Sequence, residues 1–219
     1  GTIVSNGGGV ISTEGLVWSK VSGFNPDTVV INRSTQTGSG NFSSVMSNLT
    51  PGTTYYVRAY VINSVGTSYA SNEVTVSTYD YPTVITTPPD VSTITSVSVQ
   101  AGGNVTSNGG TAVTESGICW SVDTPPTIAN DHISNGPGIG SFTRTINNLM
   151  GSTIYYVRAY AINSVGIAYG SVESFTTKPP VLATIVTTTP TATSSTTGIG
   201  GGNILSNGGA VVTTRGICW

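Results

Sequence analysis

The sequence predicts an all-β protein built from tandem β-sandwich domains, and three observations predict it. A block of about 100 residues recurs along the 219-residue chain. Within each block, apolar and polar residues alternate with period two. Asn-Gly, Gly-Gly and Pro-rich turn signals are dense, and no segment shows sustained helical spacing with caps. Residues 1–18 read GTIVSNGGGVISTEGLVW, residues 103–120 read GNVTSNGGTAVTESGICW, and residues 202–219 read GNILSNGGAVVTTRGICW. Their final tryptophans, Trp18, Trp120 and Trp219, lie 102 and then 99 residues apart. A second block, TYYVRAYVINSVGTSYA at 54–70, returns as IYYVRAYAINSVGIAYG at 154–170. Helical repeats of about 34 residues and propeller blades of about 40 are excluded, and one repeat has the size of a sandwich domain.

Three segments follow: residues 1–78, a repeat lacking its first strand and part of its second; residues 79–177, a complete repeat; and residues 178–219, the N-terminal part of a third. In the second repeat Val97, Val99, Ala101, Gly103 and Val105 alternate with Ser98, Gln100, Gly102, Asn104 and Thr106, which predicts a half-buried strand. Asn108-Gly109-Gly110 predicts the turn after it, and Gly117-Ile118-Cys119-Trp120 the third strand. Both parities of that strand carry apolar residues, so alternation leaves the faces of Trp18 and Trp120 open. Tyr55, Val57, Ala59 and Val61 fall on one face of a later strand, with Tyr56, Arg58 and Tyr60 on the other, before a turn at Asn63-Ser64-Val65-Gly66. In the third repeat Gly198, Gly200, Gly202 and Ile204 share a parity that Ile199 breaks, which predicts a bulge or a loose strand. Prolines mark the joints, at Pro82, Pro88 and Pro89 and again at Pro179, Pro180 and Pro190, and predict short, semi-rigid, extended connectors. The start at Gly1 rather than Met suggests a mature or excised piece, and the ends read as a window from a longer array.

Composition removes several functional classes. Seven Lys and Arg stand against nine Asp and Glu, a formal net charge of −2, and charged residues make up 7% of the chain. An ordinary soluble domain carries about 25%. Seven scattered cations build no phosphate-binding patch, so nucleic acid is not an expected partner. No run approaches the roughly 18 apolar residues of a spanning helix, so membrane insertion is not expected. With 28 glycines and 64 serines and threonines, the exterior is hydroxylic and amidic rather than ionic.

Leu49-Thr50-Pro51-Gly52-Thr53-Thr54-Tyr55-Tyr56-Val57-Arg58-Ala59-Tyr60, with the Asn63-Ser64-Val65-Gly66 turn, resembles the E–F corner, F strand and F–G turn of fibronectin type III domains. The Gly-Ile-Cys-Trp strand, with the Gly-Gly-Asn before it, resembles tandem arrays of surface and secreted proteins in Bacteroidota. The resemblance covers nearly the whole chain. It implies an Ig-like, fibronectin type III-like sandwich with Tyr55 and Tyr155 as corner tyrosines, whose hydroxyls bond back to nearby backbone. It also implies an extracellular or cell-surface location in a bacterium. Gly151 stands where Pro51 does, so the second corner departs from the pattern.

Candidate chemistry is sparse, and no catalytic residue, metal ligand or cofactor is expected. His132 is the one histidine and has only Asp131 beside it, which reads as a surface loop. Arg58 and Arg158 recur 100 residues apart, as do Glu73 and Glu173, and read as a cross-strand ion pair in each repeat. No Asp-x-Asp spacing suggests calcium. Cys119 and Cys218 hold the same place in successive repeats, where repeat one has Val17. Such places lie a domain length apart, beyond the roughly 4.4–6.8 Å that a disulfide spans. A buried free thiol is the expected state.

The remaining candidates are surface ones. Tyr56, Tyr60, Tyr156 and Tyr160 form an outward stripe that either stacks on sugar rings or another chain, or simply covers the outer sheet face. Asparagine sequons occur about as often as chance gives. Asp27-Thr28-Val29 resembles a Bacteroidota O-glycosylation triplet, which makes Thr28 the candidate modification site. The leading expectation is a non-catalytic structural repeat of an extracellular stalk, adhesin or surface fibril, with neighbouring repeats or copies of itself as partners. Two alternatives stand beside it: a filament subunit assembled by strand complementation between chains, and a spacer or carbohydrate-contacting module of a secreted glycan-degrading enzyme. Glycans are the further candidate partner.

Overall fold

A computed structural model describes residues 1–27, 32–36 and 40–219. The chain divides into two compact units, residues 1–81 with 109–111 and residues 82–108 with 112–219. Thr28 lies outside the described residues. Among the described residues, thirteen of the fifteen strands fall within residues 1–177 and the only helical element is a single 3₁₀ turn, so the fold is all-β.

The described residues of the first unit form one sheet. β1 (Ile11–Ser19), β2 (Asn32–Gln36), β3 (Thr54–Asn63) and β4 (Thr67–Tyr69) lie in the order β2-β1-β3-β4, and β5 (Val74–Ser77) also pairs with β3. All pairs are antiparallel. β4 and β5 are one edge strand in two pieces, because after the Ala70 N–H bond to the Ala59 carbonyl at 2.8 Å the chain leaves the ladder until Val74.

The second unit contains a complete sandwich of the fibronectin type III-like, Ig-like kind. β6 (Thr83–Asp90) is followed by a 3₁₀ turn (Val91–Thr93), β7 (Val99–Ser107), β8 (Glu115–Ser121), β9 (Asp131–Gly136), β10 (Gly140–Ile146), β11 (Ile154–Ile162), β12 (Ile167–Tyr169) and β13 (Glu173–Thr176). One sheet runs β10-β7-β6 and the other β12-β11-β8-β9, with β13 also on β11. Two antiparallel sheets face to face leave one inner surface each to bury. The core takes Val99, Ala101 and Val105 from β7, Ile118 and Trp120 from β8, and Val157 from β11. Those β7 residues are the parity that alternation points inward.

The open question about the tryptophans has a physical answer. β8 is buried on both faces: Ile118 and Trp120 enter the sandwich, while Gly117 and Cys119 are buried on the opposite side. Trp18 likewise packs with Tyr55 and Val57.

The rest of the second unit is the hairpin of β14 (Thr184–Ala192) and β15 (Gly198–Ser206). Its register slips between Thr188 and Thr191, as that of the β6–β7 pair slips between Thr87 and Asp90. The irregularity expected from Ile199 therefore belongs to both repeats. Its cause is the proline pair or single proline in the edge strand, Pro88-Pro89 or Pro190, which has no N–H for the ladder. The second Gly-Ile-Cys-Trp tetrapeptide, residues 216–219, is coil. Its counterpart β8 takes its hydrogen bonds from β9 and β11, and residues 178–219 contain no equivalents of these.

Candidate functional site

The outer face of the sheet that carries β3 or β11 is where the sequence concentrates recurring chemistry. On β11, Arg158 stands opposite Cys119 of β8, and Tyr160 opposite Gly117. On β3, Arg58 stands opposite Val17 of β1, and Tyr60 opposite Gly15. Tyr56 and Tyr156 are half-buried, but Tyr60 is 2% exposed and Tyr160 wholly buried. The outward stripe is thereby corrected: alternation assigns the side of the sheet rightly, yet two of its four tyrosines offer no surface. In the first repeat, Phe24 from the segment after β1 packs with Val17 and Tyr60. In the second, Pro126 stands in the segment after β8, and His132 lies edge-on to Tyr160 at 6.2 Å. A second small core thus lies outside the sheet of the first repeat, and in the second repeat Cys119, Pro126 and Tyr160 are buried. The Tyr160 hydroxyl donates to Glu115 Oε1 at 2.6 Å, and burial, then the Glu115 carboxylate, holds its phenol far above the usual tyrosine range.

The two arginines find different partners. Arg58 Nε lies 3.7 Å from Glu73 Oε2, so the expected cross-strand ion pair forms in the first repeat. The Glu73 carboxylate also accepts from the Ser22 hydroxyl at 3.0 Å and from the Gly23 N–H, which fastens the covering segment. In the second repeat, Arg158 instead donates to the Pro126 carbonyl and lies 3.8 Å over the Tyr169 ring, while Glu173 accepts from Ser171 at 3.2 Å. The expected second ion pair is corrected on that ground. With the Pro126 carbonyl in reach, the guanidinium is satisfied by the loop it supports.

At the corner before β3, the Thr50 N–H donates to the Tyr55 hydroxyl at 2.9 Å, and before β11 the Met150 N–H donates to Tyr155 at 3.1 Å. The bond survives the exchange of Pro51 for Gly151, because its donor is the residue before that position.

A third feature went unread in the sequence as a contact. Asn63 accepts on Oδ1 from the Val65 and Gly66 N–H groups, and its Nδ2 donates to the Asn6 carbonyl at 3.0 Å. Asn163 does the same to Val165, Gly166 and the Asn108 carbonyl, again at 3.0 Å. Each asparagine caps its hairpin turn and ties it to an Asn-Gly-Gly turn. The recurrence of Asn63 and Asn163 100 residues apart was the available signal.

His132 bonds only locally, Nδ1 to the Asn130 carbonyl at 3.1 Å. Among the described residues, no three His, Cys, Asp or Glu side chains gather as a metal would need. No helix there is long and apolar enough to cross a membrane. Cys119 is buried and Cys218 exposed, both as free thiols. Burial pushes the Cys119 thiol above its ordinary range, and it donates to the Arg158 carbonyl at 3.6 Å. A thiol reagent is accordingly expected to label Cys218 at once in native protein and Cys119 only as the second unit opens. Equal rates for both, followed by mass spectrometry of peptides, would contradict the outer core.

No family model matches the chain, and no curated protein matches it. Among solved structures, it is similar to the FN1-FN3 domains of chicken CNTN1, with 18% identity and a TM-score of 0.38 over 76% of this chain and 56% of that one. It is also similar to the sixth fibronectin type III domain of human fibronectin type III domain containing protein 3, with 28% identity and a TM-score of 0.35 over 48% of this chain and 93% of the other. A third is the sensor domain of the anti-sigma factor RsgI4 of Pseudobacteroides cellulosolvens, with 19% identity and a TM-score of 0.35 over 45% and 95%. The sandwich assignment rests on the strand order of the second unit.

Proposed function

We propose that this chain is a non-catalytic structural segment of an extracellular stalk, adhesin or surface fibril, made of tandem sandwich repeats. The observation that carries the reading is the connector at residues 178–181. Its Lys178 carbonyl accepts from the Ser152 N–H at 3.2 Å, and its Val181 N–H donates to the Gly208 carbonyl at 2.8 Å. A connector bonded to the corner on one side and to a turn of the next repeat on the other is not a free hinge. It favours a chain that transmits extension. Its counterpart at residues 79–80 makes the same two kinds of bond, Gly52 N–H to the Tyr79 carbonyl and Asp80 N–H to the Gly109 carbonyl. A low-charge, hydroxyl-rich exterior suits such a surface structure.

Strand complementation between chains is a second reading, favoured by the β14–β15 hairpin. Ile185, the counterpart of the core residue Val84, is 57% exposed, and Ile199, further along the hairpin opposite Thr191, is exposed as well. Electron micrographs of native material, with sedimentation of the purified chain, separate these readings. A stalk gives long, thin, beaded threads in native material and a monomer from the isolated chain. Strand complementation gives regular fibres from the chain alone. Native material without threads, from a chain that stays monomeric, sinks both.

A further inference from the structure

Three turns of the same sequence, Ser-Asn-Gly-Gly, stand at residues 5–8, 107–110 and 206–209. Their glycines share one backbone conformation, with φ of +62 and +81° in the first, +68 and +90° in the second, and +67 and +82° in the third. In the first and third turns the serine hydroxyl accepts from the first glycine N–H, at 3.2 and 3.1 Å, and the asparagine oxygen from the second, at 3.0 and 2.9 Å. The three turns share sequence and backbone conformation, and they differ in what lies against them.

Against the third lies a connector. Val181 donates to the Gly208 carbonyl at 2.8 Å, and a Cβ on Gly208 would stand 1.9 Å from the Val181 carbonyl oxygen. A Cβ on Gly209 would stand 1.8 Å from Ser96 Oγ. The second turn is covered alike: Asp80 donates to the Gly109 carbonyl at 2.7 Å, and a Cβ on Gly109 would meet the Asp80 carbonyl oxygen at 2.1 Å. Here the glycines serve two needs, the left-handed φ and the bare Cα face that a neighbouring carbonyl touches. At the first turn only the φ need is met from within the structure. Among the described residues, nothing lies within 4 Å of where a Cβ on Gly8 would be, and only the Asn63 amide, at 3.5 Å, is near Gly7. Among the described residues the Gly7 carbonyl receives no donor of the kind that Gly109 and Gly208 receive.

We propose that the turn at residues 5–8 is a docking site for the backbone of an extended, proline-flanked connector from a repeat on its N-terminal side. The connector places an N–H on the Gly7 carbonyl and its own carbonyl over the Gly7 Cα. The occupant is committed by chemistry: both filled copies take the connector that enters the same repeat, through a backbone N–H on the glycine carbonyl, and the two connectors, Tyr79-Asp80-Tyr81 and Pro180-Val181-Leu182, differ in side chains. The proposal rests on the tandem-array reading and adds how one repeat receives the next.

The test extends the full chain with a copy of residues 79–102 joined ahead of Gly1, where the repeat alignment places it. Hydrogen exchange read by NMR should show the copied Asp80 amide protected at least about 10-fold, with a shifted Gly7 carbonyl. Gly7→Ala should remove both effects and leave the exchange of β3 unchanged. Protected copied strands with an unprotected Asp80 amide overturn the proposal. If the copied strands do not fold, the six-residue peptide Thr-Tyr-Asp-Tyr-Pro-Thr, titrated to millimolar concentration into the unmodified chain, decides. Shifts confined to Gly7, Gly8 and Asn63 that Gly7→Ala abolishes support docking, and their absence overturns it. Native threads combined with an unprotected amide would keep the array and reject the docking site.

Discussion

Trp120→Ala is expected to lower the unfolding free energy of the second unit by about 3–5 kcal/mol, whereas Trp219→Ala leaves it within about 0.5 kcal/mol. Both residues end the same tetrapeptide, Gly-Ile-Cys-Trp. Trp120 is 8% exposed in the sandwich core, on a strand bonded on both sides, to β9 and β11. Trp219 ends a coil and is fully exposed. Removing the first indole leaves a cavity among Ile118, Val157 and Tyr155, which are fixed by ladders and cannot collapse into it. Removing the second exposes nothing new. Urea unfolding followed by circular dichroism, with Cys119 labelling as a reporter of the second unit alone, gives both numbers. Equal losses at the two positions would sink the account, because they would mean that the tetrapeptide carries its stability locally rather than through its partners.

The contrast shows what the sequence could reveal. Alternation on β7 assigns Val99, Ala101 and Val105 to the core because an antiparallel strand with one wetted face writes that face into every second residue. β8 carries no such record, since both of its faces are buried. The same limit accounts for Tyr60 and Tyr160. Their parity is legible, but Tyr60 is covered from an irregular segment bearing Phe24, which has no period to read, and Tyr160 meets His132 of β9 and the Glu115 carboxylate of β8. Arg58 and Arg158 are identical in sequence context and still differ in partner, because one covering segment offers a phenylalanine ring, 5.8 Å away, and the other a carbonyl. The corner tyrosines were legible in full. Their bond depends on a fixed separation of five residues along one stretch of chain. The Asn163 tie to the Asn108 carbonyl spans 55 residues and was visible only as a recurrence.

Thr86→Val is the second large effect, at about 1–3 kcal/mol, with Thr86→Ser restoring most of it. Thr86 lies on edge strand β6 and is 3% exposed. Its Oγ1 accepts from the buried Ala159 N–H at 3.0 Å and donates to the Ser171 carbonyl at 2.6 Å. The first bond joins the edge of one sheet to the central strand β11 of the other, and the second reaches the segment between β12 and β13. Valine keeps the volume of threonine but leaves the Ala159 N–H buried without an acceptor, which costs the desolvation of that group. The Ser171 carbonyl is near solvent and loses less. Close approach at this junction also explains a difference between the repeats. A Cβ on Gly170 would stand 2.4 Å from Thr86 Oγ1 and 2.6 Å from the Thr86 nitrogen, and the equivalent position of the first repeat is Ala70. Gly170→Ala should therefore weaken the second unit in the same direction by forcing β6 outward. Amide exchange at Ala159 reads the mechanism directly: it should accelerate in Thr86→Val and Gly170→Ala and stay slow in Thr86→Ser. A Thr86→Val protein with native stability and a protected Ala159 amide would show that water, not the threonine hydroxyl, satisfies that group.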